Sequence, residues 1–112
     1  MTNEEAVKVI DYAMMLLNEP GKWSKMSAFG EVCNESGETF TLACALKTAH
    51  HAVLGLQGFD PRTNVMERVR RMIGKYFIWR YGLHPLAHFN KHSKTTYTDL
   101  VFILQKARES FL

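Results

Sequence analysis

The spacing of apolar residues changes from segment to segment along this chain, and the changes predict its elements. Ala6, Val9, Ile10, Ala13, Met14 and Leu17 recur three and four apart, which predicts an amphipathic helix from the N-terminus to about residue 19. Thr2 and Glu5 have the form of a capping box, in which each side chain takes up a free backbone N–H of the first turn. "NEPG" ends that helix, because Pro20 disfavours helical backbone at the residue before it. Trp23, Phe29, Val32, Phe40 and Thr41 favour strands, and "NESG" is a turn cluster. Together they predict a β-hairpin with strands near 25–32 and 38–41. A lone two-stranded hairpin is marginal in water, so it is expected to pack on helices.

Helical spacing resumes with Leu42, Ala45, Leu46, Ala49 and Val53, and Gly55 is a natural stop. "LQGFDPRTN" reads as a loop. A third helix is predicted over about 63–81, with Val65, Val69, Met72, Ile73, Tyr76 and Trp79 on one face and Gly82 as its stop. A fourth follows "SKTT": Thr96 with Asp99 repeats the capping pattern, and Leu100, Val101, Ile103, Leu104, Ala107 and Phe111 form its stripe. The expected fold is α+β, mainly α: four helices around one core with a β-hairpin between helices 1 and 2. Residues 1–112 form one domain in this reading, with Trp23, Leu46, Val69, Met72 and Leu104 largely buried.

Composition agrees with one independent core: 112 residues, 46% hydrophobic and 22% charged. Two cysteines, Cys33 and Cys44, are too few for a disulfide framework and read as free thiols in a reducing compartment, with pairing the less favoured alternative. No apolar run approaches the ~20 residues of a membrane span, and "MTNEEAVKVI" lacks the basic start of a signal peptide. The expected setting is the cytoplasm of a bacterium or a phage-infected cell. The net charge of +3 is divided unevenly. Residues 1–47 hold four lysines and seven acids, giving −3, while residues 48–112 hold ten cations and four acids, giving +6. Such polarity favours a charged partner.

Candidate chemistry begins with "HPLAHFNKH", where His84, His88 and His92 stand four apart. On one continuous helix they would share a face and offer three imidazoles to zinc or a similar metal. Pro85 is tolerated only in a first turn, and Asn90 is a weak helix former, so a broken helix and scattered histidines are expected instead. No carboxylate lies between Glu67 and Asp99 to act as ligand or base. His50 and His51 point about 100° apart on a helix, so one is expected to pack and the other to be solvated. With no Ser–His–Asp spacing and no Gly-rich phosphate loop, no catalytic residue, cofactor or metal is expected, and an enzyme is disfavoured.

The third helix carries more. Residues 62–80 hold six cations and one acid, for +5. Arg68, Arg71 and Lys75 lie together opposite the apolar face, flanked by Arg70, with Glu67 partly neutralising Arg71. Ile78 falls near this polar side, where burial does not explain it. A solvated basic face is the plain explanation. Two others give it a role. Phosphates would be neutralised by the stripe while Tyr76, Phe77 and Trp79 stack on bases. Alternatively, Ile78 within a charged rim suits a protein hot spot. The favoured reading is a small non-enzymatic binding protein, adaptor- or inhibitor-like, that engages a protein partner through Arg68, Arg70, Arg71, Lys75 and Ile78. A nucleic-acid partner on the same helix comes second, and a histidine-based metal enzyme third.

Three stretches in order resemble a family of small uncharacterised bacterial and phage domains. Trp23-Ser24 is similar to that family's Trp-Cys pair, and "TLACALKTA" to its C-x-x-G-A-L-x-x-A helix start, keeping Ala45, Leu46 and Ala49. "HFNKHSKTTYTDLVFILQKA" is similar to its W-N-D segment and Thr-capped terminal helix, with Phe89 and Asn90 in the first two places. Ser24 and Thr41 stand where the family has cysteines, Cys44 where it has glycine and Lys91 where it has aspartate. No thiol or metal role of those cysteines carries over. The resemblance implies an order of elements, with "FN" in a loop before the last helix, and no activity.

Overall fold

The computed structural model describes residues 1–26, 32–55 and 64–112. Within them the chain is all-α: α1 (Asn3–Leu16), α2 (Leu42–Leu54), α3 (Asn64–Tyr76), α4 (Pro85–Lys91) and α5 (Tyr97–Glu109), with 3₁₀ turns at Pro20–Lys22 and Ile78–Arg80. The capping boxes are formed. Thr2 accepts from the Glu5 N–H while Glu5 accepts from that of Thr2, and Thr96 and Asp99 repeat the exchange. Thr41 caps α2 by accepting from the Cys44 N–H, and α2 stops at Gly55, whose φ of 91° suits glycine. The loop expected over "LQGFDPRTN" lies almost wholly outside the described residues.

The helices enclose one core of Ala6, Val9, Ile10, Ala13 and Leu17 from α1 and its end, Leu42, Ala45, Leu46 and Ala49 from α2, Val65, Val69 and Ile73 from α3, Phe89 from α4, and Leu100, Ile103, Leu104 and Ala107 from α5. α5 runs antiparallel to both α1 and α3. Its N-terminal Tyr97 hydroxyl donates to the Leu17 carbonyl and its C-terminal Arg108 pairs with Asp11 at 2.7 Å. Arg68 reaches the Ser110 carbonyl at 2.9 Å, while Tyr76 meets Phe102 edge to face. Of the five residues expected to be buried, Leu46, Val69, Met72 and Leu104 are, and Trp23 is half-buried.

The α+β expectation is overturned. No strand or hairpin forms among the described residues; residues 27–31, inside the first expected strand, lie outside them. Trp23 and Phe40 make one isolated parallel bridge instead, with Ser24 N–H donating to the Phe40 carbonyl and Phe40 N–H to the Lys22 carbonyl, both at 2.9 Å. A parallel bridge cannot be closed by a tight turn, so these residues serve to hold two irregular segments together. Trp23 and Phe40 pack on the helical core rather than on a second strand, while Val32 is exposed.

The free-thiol expectation is also overturned: Cys33 and Cys44 form a disulfide, with Cα atoms 5.4 Å apart. Once Thr41 starts α2, Cys44 in its first turn faces the segment carrying Cys33. Glu35 reinforces that attachment through a 2.6 Å contact with His51. The pairing removes the thiol argument for a reducing compartment. No described helix is long and apolar enough to cross a membrane.

Among the described residues the α-helices number five rather than four. Pro85 occupies the first turn of α4, the one place where its missing N–H costs nothing. The third helix is shorter than its apolar pattern implies, ending at Tyr76 rather than near 81. That early end moves Trp79 from the expected core to the surface.

Candidate functional site

Neither feature that weighed against a helix prevents α4: Pro85 takes its first turn, and Phe89 and Asn90, expected in a loop, lie within it. Asn90, a weak helix former, is completely buried because its side chain is needed there. Its Oδ1 accepts from the Trp23 indole N–H at 2.7 Å and from the Leu42 backbone N–H at 2.9 Å. Its Nδ2 donates to the Ser24 carbonyl at 3.0 Å. One carboxamide thus joins α4, the start of α2 and the segment after the first 3₁₀ turn. Trp23, Ser24 and Asn90, three residues of the resemblance, meet here. Both polar atoms of the Asn90 carboxamide and the Trp23 indole N–H are occupied, and Lys25 lies over the Trp23 ring at 5.5 Å from its centroid, so the hub serves folding.

The histidines diverge in part. His84 sits before α4 and is exposed, while the His88 and His92 rings lie 5.8 Å apart. Nδ1 of His92 accepts from the Lys94 N–H at 3.1 Å, which places the proton of the neutral ring on Nε2. Partial burial, with the cations Arg80 and Lys94, the neighbouring His88, and Lys25, pushes the His92 pKa below its ordinary value. Among the described residues no three histidine, cysteine, aspartate or glutamate side chains converge on a metal position. His50 is buried and His51 is engaged with Glu35 rather than solvated.

The basic stripe divides. Arg68 is drawn onto the end of α5, its guanidinium 4.3 Å from the Phe111 ring centre and bonded to Ser110. Arg70 pairs with Glu67 at 2.8 Å. Arg71 and Lys75, four apart and exposed, remain on one face. Lys75 and Lys106 both approach the Tyr76 ring, at 5.3 and 5.8 Å.

Just beyond Lys75 lies a surface that the sequence pointed to through Ile78 and, in the base-stacking alternative, Trp79. Ile78 is 59% exposed, Trp79 93% and Leu83 89%. Exposed leucine alone means little, but a tryptophan and two aliphatics projecting within six residues form an unusual apolar tip. The tip is not loose. Phe77 is wedged beside Phe89 and Phe102, with ring centres 5.3 and 6.0 Å away. Arg80 stacks on Phe77 at 4.5 Å, donates to Thr95 and the Lys94 carbonyl, and pairs with Asp99 at 2.8 Å. Burial pushes the Asp99 carboxyl up, but the hydrogen bonds from Arg80 and Thr96 outweigh it and hold the pKa below its usual value. Tyr81 folds back against Gly74, where a Cβ would stand 3.2 Å from its ring. Gly82, at φ 62°, leaves no room for a Cβ beside His88. The exposed side chains therefore stand on a turn fixed at four neighbouring positions.

An open cleft of about 620 Å³ lies between the end of α1, the first 3₁₀ turn and residues 37–40. Met15 and Leu16 contribute apolar surface over the buried Phe40, and Glu19, Glu38 and Lys22 its charges. Set against known protein families, curated proteins and solved structures, the chain matches none significantly.

Proposed function

We propose that this is a small non-enzymatic binding protein that docks on another protein through the apolar tip, with Arg71 and Lys75 as its charged rim. The observation that carries this reading is Trp79, 93% exposed on a turn whose neighbours Phe77 and Arg80 are anchored. An aromatic on an anchored turn loses less backbone freedom on docking than one on a loose loop, and tryptophan and arginine are enriched at hot spots. Ile78, expected from sequence as an anchor, belongs to the same tip. Arg68 and Arg70 contribute by fixing α3, since both already have partners within the fold.

The test is capture from a lysate of cells that also express the untagged chain, with and without nuclease. The bait is wild-type protein or the Arg71→Glu/Lys75→Glu variant. A protein retained after nuclease and weakened by reversal supports the reading, as rim charges steer encounter. Recovery of nucleic acid alone, falling steeply with salt, would replace it with a phosphate-binding role for the same helix.

A further inference from the structure

We infer that the partner of the tip is a second copy of this chain, with Trp79 of each copy entering the other's cleft. The inference rests on the reading of the tip as a docking surface, and it names the occupant from complementarity within the molecule. The tip carries apolar side chains beside two exposed cations, Arg71 and Lys75. The cleft offers apolar surface from the half-exposed Met15 and from Leu16 beside exposed Glu19 and Glu38, against one cation, Lys22. Neither carboxylate is in an ion pair among the described residues. At about 620 Å³ the cleft is within the range that admits a ligand the size of an indole with its neighbours. The cleft carboxylates come from the acidic part of the sequence and the tip cations from the basic part.

Position favours reciprocal exchange. Leu17, between the cleft residues Leu16 and Asn18, is bonded to Tyr97 at the start of α5. Arg80, next to Trp79, is bonded to Asp99 in the same first turn of α5. Tip and cleft therefore belong to one end of the bundle. Two copies meeting at that end can each donate a tip and receive one, the isologous arrangement of a two-fold dimer, which closes without forming a filament. The contact is small and charge-assisted, so the dimer is weak and weakens further with salt.

Sedimentation of the purified chain from about 10 µM to about 1 mM, the range over which small interfaces saturate, tests this. The weight-average mass should rise from 12.9 kDa toward twice that value, and less so at high salt. Trp79→Ala removes the tip at a site too exposed to disturb folding, and Glu19→Lys/Glu38→Lys reverses the cleft rim. Each variant alone should stay monomeric. Glu19→Lys/Glu38→Lys mixed in equal amounts with Arg71→Glu/Lys75→Glu should associate again, because each tip then faces a cleft rim of opposite charge in both contacts of the two-fold dimer. A wild-type chain monomeric at the highest concentration overturns the inference, as does a dimer that survives Trp79→Ala or the rim reversal. If the wild type is monomeric yet captures a different protein through Trp79, only self-association falls. If that capture is indifferent to Trp79, the docking reading falls with it.

Discussion

The Asn90 hub and the Ile78–Leu83 tip follow opposite rules within a few residues of each other. The hub takes a carboxamide fully out of water and satisfies it three times over; the tip takes apolar side chains and leaves them in water on a fixed turn. A buried polar group without partners would cost the fold dearly, so its presence marks a place where structure is specified. An exposed tryptophan gains the fold little, and the docking proposed above is what gives it a role. The two are linked by α4, which carries Asn90 on its buried side and His88 against Gly82 of the tip.

This contrast is broken most forcefully at Asn90. Asn90→Ala strands the Trp23 indole N–H, the Leu42 N–H and the Ser24 carbonyl, and should cost about 3 to 5 kcal/mol in urea denaturation. Trp23→Phe, which removes one of the three bonds, should cost about 1 to 2 kcal/mol. A loss below about 1 kcal/mol for Asn90→Ala would mean that water replaces the hub. Reducing the Cys33–Cys44 bond opens a short loop and should cost about 2 to 3 kcal/mol, without altering capture through the tip. Gly82→Ala should cost about 1 to 2 kcal/mol, since it meets both an unfavourable φ and the His88 ring, and it should weaken docking by displacing the turn.

Acid gives a smaller and graded effect. His92 and Asp99 both have folded pKa values below their ordinary ones, so in each window the unfolded chain binds more protons and stability falls as pH falls. The His92 contribution is complete above about pH 6.5 and is lost as pH drops through its folded pKa. That of Asp99 is complete above about pH 3.9 and is lost at still lower pH. Urea midpoints measured across this range should decline in two steps, and His92→Asn should remove the upper one. A flat profile between pH 7 and 5 would show that His92 is not linked to folding.

Local chemistry was the legible part of the sequence. Thr2 with Glu5, Gly55 and Thr96 with Asp99 act within three or four residues of themselves, and each lies where the sequence implied; Thr41, read as part of a strand, caps α2 instead. What depended on distant contacts was not legible. Asn90 looks like a helix breaker until Trp23 and Leu42 are placed beside it. Trp79 continues the helical period of Val65, Val69 and Met72 by spacing alone, and nothing local says that α3 stops at Tyr76 so that Phe77 can turn into the core. Trp23 and Phe40 carry strand propensity that is used for one bridge. Cys33 and Cys44 are eleven residues apart, a separation compatible with either state until the cap at Thr41 fixes where Cys44 points. Of the candidate site, the cations and Ile78 were visible, while the division of the stripe and the exposure of Trp79 were not.

The smallest expected effect on folding is the one that decides the account. Trp79→Ala should leave the urea midpoint within about 0.5 kcal/mol of wild type, as an exposed substitution does, while abolishing partner capture from a nuclease-treated lysate containing the untagged chain. Capture at the wild-type level would contradict the account, and so would a loss of stability approaching that of Asn90→Ala.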